Sequence, residues 1–274
     1  MDTDTSPQHE NHGWLQVAIE FTDYATAEDT ATTHLRPVLD NPETAGLVVS
    51  WSFIRKAPTW RLRYLSAPEH ADAARQAVHQ ALDSLRENGR VAGWVETIYE
   101  PEVHAFGGRN AMTIAHELFH SDSQHILDGI RARERRRELT ILLCSTLLRS
   151  AGQDWYEQGD IWARVAENRP LPAETTPDQV HNLQAGLQRL LTVDTDPASP
   201  LMGPGGQLSD VATWTAAFHT AGERLGQLAR TGTLHRGLRA VLTHHVIFHW
   251  NRIGLPYSTQ SLLAHTAKEA VLGD

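Results

Sequence analysis

Hydrophobic and polar positions follow two periods in the first hundred residues of this chain. Short segments alternate every second residue, as half-buried strands do, and longer segments repeat apolar positions every three to four residues, as amphipathic helices do. In chain order the segments are strand 14–21, helix 25–40, strands 47–54 and 60–65, helix 68–88 and strand 91–99. The turn 56–59 pairs the two middle strands, and Gly89 is suited to end the second helix.

The remainder of the chain, from residue 110 onward, is predicted to be helical. The helical segments, separated by joins rich in proline and glycine, are 110–120, 123–150, 154–167, 177–192, 208–229, 233–250 and 258–271. The join 194–206 connects two helices without a change of composition, so we interpret it as a surface loop. In the first half, the order strand, helix, strand, strand, helix, strand resembles the ferredoxin-like arrangement. We therefore predict an α+β fold: a ferredoxin-like-resembling N-terminal sheet layered with helices, and a mostly helical C-terminal half.

Length and composition indicate a globular chain with a large core. It has 274 residues, of which 41% are hydrophobic and 21% charged. Residues 1–13 are polar, lack the apolar segment of a secretory signal, and are predicted to be a disordered tail before a single domain, 14–274. The longest apolar run, 139–148, has about half of the ~20 residues needed to span a bilayer, and we predict a buried helix there. It contains the lone cysteine, Cys144, which fits a reducing, cytoplasmic setting without a membrane.

The net charge of -9 argues against general nucleic-acid binding, which needs concentrated basic residues. One basic segment is an exception, and its arginines are Arg131, Arg133, Arg135, Arg136 and Arg137. Two interpretations are open: a solvated helix face balanced by nearby glutamates, or a docking site for an acidic peptide, since arginine binds carboxylates bidentately.

Residues 116–120, HELFH, match the zinc-protease signature H-E-x-x-H. Two histidines one turn apart share a helix face, but a zinc site also needs a third protein ligand. No third ligand stands at a familiar spacing, although Asp122 and His125 are near. Ser121, Asp122 and Ser123 instead suit the cap of a following helix.

A longer pattern around HELFH is more specific. Residues 99–127 (YEPEVHAFGGRNAMTIAHELFHSDSQHIL) contain Tyr-Glu-Pro-Glu, a glycine pair, and a helix ending Glu-x-Leu-Phe-His-x-Asp-Ser. Further motifs lie at 51–55 (WSFIR), 61–63 (RLR) and 244–255 (HHVIFHWNRIGL), the last followed by 260–264 (QSLLA). In this order they resemble the C-terminal domain of lantibiotic dehydratases and the stand-alone thiopeptide-type bacteriocin biosynthesis proteins, over essentially the whole chain.

The resemblance implies one of two activities. In lantibiotic dehydratases this domain eliminates glutamate from glutamylated serine or threonine, with a glutamate, two arginines and a late histidine. Stand-alone relatives do the same or act as pyridine synthases, which join two dehydroalanines in a formal aza-[4+2] cycloaddition, lose water and expel the leader peptide. Arg55 and Glu102 match the family, but Ala105 stands where the second arginine is expected and Thr59 where a histidine is usual. An enzyme whose leaving group is glutamate needs its carboxylate clamp, so we favour the pyridine synthase.

The resemblance also supplies candidate site residues. The predicted catalytic residues are Tyr257, His249, Tyr99, Glu102 and Ser123, with Tyr257 and His249 transferring protons. The predicted substrate-binding residues are Arg55, Arg63, His104, Asp122, Arg252 and Gln260, with Arg55 orienting a peptide carbonyl. Leader binding is predicted at Arg133, Arg136 and Arg137, or at the edge of the first strand. Structural interpretations stay open: Asp122 and Ser123 as helix caps, His249 as a core histidine, and Arg252 as a stabiliser of a helix end.

The implied partner is a ribosomally made precursor peptide with a leader, and no metal or other cofactor is implied. We expect no nucleic-acid or membrane partner, and the oligomeric state stays open. Three other hypotheses remain: a glutamate-eliminating dehydratase subunit, a non-catalytic module that binds the precursor peptide, and a metalloprotease.

Overall fold

A computed structural model describes residues 13–40, 46–128 and 135–273 of the chain. The chain forms two compact units that divide between Pro101 and Glu102. The first contains a four-stranded antiparallel sheet and the second is helical, which confirms the predicted α+β class. The single domain over 14–274 stays a prediction, and of the predicted tail only Gly13 lies within the described residues.

The sheet of the first unit has the predicted order of elements. Its strands are β1 (Trp14–Phe21), β2 (Val48–Lys56), β3 (Thr59–Ser66) and β4 (Val91–Thr97). Their order in space is β2-β3-β1-β4, and all neighbours are antiparallel. Both edges of β1 are therefore hydrogen-bonded, and the hypothesis that a leader docks on the edge of the first strand is wrong.

Two helical segments accompany the sheet. The first contains α1 (Ala27–Thr30), a π-helical turn (Ala31–Leu35) and α2 (Arg36–Asp40). The second is α3 (Ala71–Glu87), which buries a stripe at helical spacing formed by Ala74, Val78, Leu82 and Leu85. It ends as expected before Gly89, whose φ of 68° favours glycine.

The helices of the second unit follow the predicted sequence of segments. They are α4 (Arg109–Asp128), α5 (Arg136–Ser150), α6 (Trp155–Glu167), α7 (Pro177–Leu191), α8 (Ala212–Arg230), α9 (Leu238–Ile253) and α10 (Tyr257–Leu272). The interpretation of Asp122 and Ser123 as caps is wrong, because α4 continues through both residues to Asp128. Both side chains are buried inside the helix bundle.

The core of the second unit is centred on α5, whose residues Leu139–Leu148 are all buried, Cys144 included. Helix α8 approaches it closely, because a Cβ on Gly222 would lie 2.4 Å from the Leu147 carbonyl oxygen. No helix in the described part of the chain is long and apolar enough to cross a membrane.

Candidate functional site

Asp122 is the centre of a buried polar network in the second unit. Its side chain is fully buried on α4 and accepts hydrogen bonds from three residues of α8 and α9. Trp214 Nε1 donates to Oδ1 over 3.0 Å, Arg252 Nη1 donates to Oδ2 over 2.8 Å, and His249 Nδ1 lies 3.0 Å from both oxygens. The network joins three helices through one carboxylate.

The charge of Asp122 determines how its partners are held. Burial alone raises the pKa of a carboxyl group, but His249 and Arg252 outweigh burial and hold the pKa of Asp122 below its ordinary value. The group is therefore an ionised acceptor, and Nδ1 of His249 donates to it. Arg252 also lies 4.2 Å above the centroid of the Phe119 ring.

His249 is much less accessible than its predicted role suggests. The side chain is 2% exposed, and its Nδ1 is committed to Asp122. Its Nε2 has no hydrogen-bond partner within the described residues. Proton transfer by His249 stays a prediction, and the geometry gives it a clear structural role.

The Tyr-Glu-Pro-Glu motif leads into a tight turn over residues 102–108. Its backbone bonds run from Phe106 N to the Glu102 carbonyl (3.0 Å) and from Gly108 N to the Val103 carbonyl (2.8 Å). The side chain of Glu102 is exposed, whereas Phe106 is buried. His104, the other predicted site residue of the turn, is also exposed.

The glycine pair of the motif is required by this turn. Gly107 and Gly108 have φ values of +90° and +109°. A Cβ on Gly107 would lie 2.7 Å from Leu234 Cδ1, and one on Gly108 would lie 3.0 Å from His235 Nδ1. Only glycine combines these dihedrals with such close neighbours.

An aromatic cluster lies below the turn, where Phe106 packs with Met112, Ala115 and Phe119. Two adjacent histidines of α9 contact it: the ring centroid of Phe106 is 5.9 Å from that of His244 and 4.9 Å from that of His245.

The two histidines differ in accessibility. His245 is 2% exposed, and burial, followed by the charge of Arg252, lowers its pKa to about 3, so its ring is neutral. His244 is half-buried, and burial and Arg236 lower its pKa, while Glu102 acts in the opposite direction. Arg236 also donates from Nη1 to the Ala105 carbonyl over 2.9 Å and so ties the turn to the start of α9. Sequence reasoning missed Arg236 and treated His244 only as a member of a histidine-rich helix.

Tyr257 and Gln260 lie around Arg169 at the beginning of α10. Tyr257 is 52% exposed, with the Arg169 guanidinium 5.7 Å from its ring centroid. Gln260 is buried; its Oε1 accepts from Arg169 Nε over 2.7 Å, and its Nε2 donates to Asn251 Oδ1 and the Leu255 carbonyl. Gln260 therefore fixes the join between α9 and α10, while Tyr257 is open to solvent.

The other predicted site residues lie in the first unit. Arg63 is buried, donates from Nε to Gln16 Oε1 over 2.9 Å, and lies 4.4 Å from the centroid of Tyr99. Arg55 Nη2 lies 2.5 Å from Glu28 Oε2, and both side chains are largely buried. The guanidinium carbon of Arg55 also lies over the Trp60 ring, 4.5 Å from its centroid. Sequence reasoning missed Glu28, because nothing in its local pattern distinguishes it from a surface residue.

The predicted leader-binding arginines are only partly described. Arg133 lies outside the described residues. Arg136 begins α5 and is partly buried, and Arg137 is exposed. The neighbouring Arg135 pairs with Asp210 over 2.6 Å.

The glutamate of HELFH is engaged in an ion pair. Glu117 forms a two-point ion pair with Arg224, with Nη2 3.3 Å from Oε1 in the second contact. Among residues 13–40, 46–128 and 135–273, no three His, Cys, Asp or Glu side chains are grouped as a metal ion requires. The protease hypothesis finds no support in this geometry.

Comparison with known proteins gives a family match over nearly the whole chain. The family model described as lantibiotic biosynthesis dehydratase C-term matches residues 14–271. No curated protein sequence is significantly similar to the chain.

Several solved structures share its fold. The tRNA-dependent lantibiotic dehydratase MibB from Microbispora sp. 107891 superposes with a TM-score of 0.73 and 19% identity, over 97% of this chain and 28% of that chain. The pyridine synthase TbtD from thiomuracin biosynthesis has a TM-score of 0.67 and 15% identity, over 94% of this chain and 97% of that chain. TsrL has a TM-score of 0.59 and 15% identity, over 94% of this chain and 93% of that chain. At these identities the similarities show the fold alone, and this chain spans about a quarter of MibB.

Proposed function

The chain belongs to the lantibiotic biosynthesis dehydratase C-terminal family, and we propose that within this family it is a pyridine synthase of thiopeptide biosynthesis. Membership supports a role in the biosynthesis of ribosomally made, modified peptides. The proposed substrate is a linear precursor that carries a leader peptide and two dehydroalanines.

The products of the proposed reaction are a pyridine macrocycle, water and the leader carboxamide, which together account for all atoms of the precursor. The amide before the later dehydroalanine tautomerises to its imidic form, which gives a 2-azadiene. Its ends bond to the alkene carbons of the earlier dehydroalanine, forming a six-membered ring. Loss of the hydroxyl as water and departure of the leader as a carboxamide make the ring a pyridine and close the macrocycle. No oxidant or reductant is consumed.

The state of Arg55 is the observation that carries the choice between synthase and eliminase. The family's elimination chemistry is understood to use two arginines that hold the departing glutamate. Here one position is Ala105, and the other, Arg55, already pairs with the carboxylate of Glu28 over 2.5 Å in a largely buried setting. A guanidinium neutralised in this way is poorly suited to hold a second carboxylate.

The proposed roles of the candidate residues follow from their accessibility. Glu102, His104 and Tyr257 are exposed and can reach a peptide. Asp122 and Arg252 form a buried ion pair, and we assign them to holding α4, α8 and α9 together. Cycloaddition depends chiefly on bringing the two alkenes together, and such placement contributes several kcal/mol to lowering the barrier.

Mass spectrometry of the full chain with defined peptides tests the proposal. One substrate carries the leader and two dehydroalanines, a second lacks the leader, and a third carries a glutamyl ester on one serine. We expect the first to give a macrocycle whose mass is that of the precursor minus water and the leader carboxamide. The third is expected to remain unchanged.

The other outcomes identify the rival functions. Conversion of the glutamyl ester to dehydroalanine with release of glutamate would establish an eliminase. Tight binding of the precursor without conversion would establish a non-catalytic module. Either result overturns the proposed synthase.

The leader is proposed to dock on the arginines before and at the start of α5. Reversing the charge of Arg133, Arg136 and Arg137 is expected to weaken leader binding at low salt, with a smaller effect at high salt because exposed charges are screened. Reversal of Arg189, which is exposed on α7, is the matched control. If the triple variant and the Arg189 variant bind the leader equally well at low salt, this docking site is refuted.

A further inference from the structure

The turn at 102–108 and the beginning of α9 bring an acid and a base to one region of the second unit. Glu102 is exposed at the first position of the turn, and Phe106, four residues later, contacts the ring of His244. Arg236 holds the turn through the Ala105 carbonyl, and its charge and that of Glu102 both act on His244. We propose that His244 and Glu102 form the acid–base pair of the cyclisation, an inference that rests on the proposed pyridine synthase function.

Accessibility distinguishes His244 from its neighbours on α9. His245 and His249 are each 2% exposed, and Nδ1 of His249 is bonded to Asp122. His244 is half-buried, so its ring can face both protein and substrate. Phe248 stacks on it at 20° with 6.3 Å between centroids, and Phe106 meets it edge-on. These two rings fix the orientation of the imidazole, as a proton-transfer group requires.

The protonation state of His244 suits the first step. Burial and the positive charge of Arg236 lower its pKa, and the opposing effect of Glu102 does not reverse the shift. A neutral imidazole has one donor and one acceptor nitrogen. Such a ring can accept the amide N–H proton and give its own proton to the carbonyl oxygen, which forms the imidic tautomer and leaves His244 neutral.

Glu102 completes the proton balance of the last step. When the leader leaves, the ring carbon loses a proton and the departing amide nitrogen gains one. The exposed carboxylate of Glu102, whose charge acts on the imidazole of His244, can take the first proton and deliver it to the nitrogen. Neither member of the pair has a changed protonation state after these two steps.

Kinetics of the full chain with the two-dehydroalanine precursor test this pair. His244→Phe keeps an aromatic ring against Phe106 and Phe248, and His244→Gln is the second variant in case the first misfolds. Loss of acid–base catalysis is expected to lower kcat about 100-fold or more with little change in KM. The wild-type rate is expected to fall on the acid side as His244 is protonated, and this limb is expected to be absent from the residual activity of the variants. His219→Gln, on α8, is the matched control and keeps both the rate and the pH profile.

Nuclear magnetic resonance titration of the histidines gives a readout that needs no substrate. Among the described residues, the charged groups that shift the pKa of His244 are Arg236, which lowers it, and Glu102, which raises it, while His244 in turn lowers the pKa of His245 on the same helix. Because the Glu102 carboxylate favours the imidazolium, Glu102→Gln is expected to lower the pKa of His244 further. Because the Arg236 cation disfavours it, Arg236→Gln is expected to raise that pKa.

The outcomes separate this inference from the proposed function. If the wild-type chain forms the macrocycle and both His244 variants match its rate and pH profile, the pair is wrong while the synthase stands. If Glu102→Gln leaves the pKa of His244 unchanged, the coupling between the two groups is refuted regardless of activity. If the wild-type chain forms no macrocycle from a precursor that it binds, both proposals fall.

Discussion

Glu28→Gln tests the ion pair that distinguishes Arg55 from a free carboxylate clamp. The two side chains are 13% and 7% exposed, with 2.5 Å between Nη2 and Oε2. Removing one charge of a buried pair costs about 3–5 kcal/mol, because the other charge keeps its desolvation penalty. Glutamine still offers an oxygen to the guanidinium, which also keeps its position 4.5 Å above Trp60. We therefore expect the lower end, about 3 kcal/mol, as the loss in free energy of unfolding.

Denaturant unfolding of the full chain, followed by circular dichroism, measures this loss. A double-mutant cycle with Arg55→Met isolates the pair, and we expect a coupling energy of at least about 1 kcal/mol. Asp72→Asn in the same unit is the matched control, because its pair with Arg75 is exposed and contributes less than about 1 kcal/mol. A coupling energy below about 0.5 kcal/mol would refute the view that Glu28 neutralises Arg55.

The same substitution is expected to change which peptides bind. A guanidinium that is no longer neutralised by the Glu28 carboxylate can donate to a substrate carboxylate, and hydrogen bonds to charged groups contribute about 1.5–3 kcal/mol, or roughly tenfold to a hundredfold in affinity. Calorimetry with a glutamylated peptide and its glutaminyl analogue is the assay. We expect only the glutamylated peptide to bind more tightly to Glu28→Gln than to wild type. Equal affinities for the two peptides in the variant would contradict the specificity argument.

Three further predictions concern the second unit. Asp122→Asn is expected to lower the free energy of unfolding by about 3–5 kcal/mol at neutral pH. Because the pKa of Asp122 is lowered in the folded state, the wild type loses this stabilisation as pH falls below the ordinary pKa of 3.8. When unfolding is measured as a function of pH, the variant is therefore expected to lose less stability in acid than the wild type. Gly107→Ala is expected to lower the free energy of unfolding by about 1–3 kcal/mol, because the residue has a positive φ and a Cβ would lie 2.7 Å from Leu234 Cδ1. Gly186→Ala is the control: it lies inside α7 with nothing within 4 Å of an added Cβ, so it is expected to raise the denaturation midpoint slightly, because alanine is the better helix former. Burial raises the pKa of the Cys144 thiol, so a thiol reagent is expected to leave it unmodified in the native chain and to react after denaturation; rapid native labelling would contradict the buried helix.

Periodicity predicted most elements because their local pattern matches their burial. The predicted strand 14–21 agrees with the observed Trp14–Phe21. The break near 121 was wrong for a physical reason: Asp122 is a favoured cap, but here its partners lie 92, 127 and 130 residues away in sequence. A single sequence contains no signal for hydrogen bonds over such separations, so local propensity gave the wrong interpretation.

The candidate site was likewise only partly predictable from the sequence. Motif spacing led to the residues of the turn at 102–108 and of α9, but it could not tell which of three nearby histidines is accessible. His244, His245 and His249 differ in burial because the packing of α9 fixes which face each occupies. Similarly, Arg55 was identified by its motif, whereas its partner Glu28, 27 residues earlier, became visible only in the folded first unit.

Three of the five HELFH residues have roles in α4 that do not involve a metal. Glu117 lies on the exposed side of α4 and pairs with Arg224 of α8. Leu118 and Phe119 are buried, and Phe119 supports the Arg252 guanidinium that binds Asp122. Successive positions of an amphipathic helix face different sides, so a glutamate that pairs with a neighbouring helix can directly precede a leucine and a phenylalanine that pack in the core. In the zinc signature the glutamate is the general base, and here the Glu117 carboxylate is already paired with Arg224.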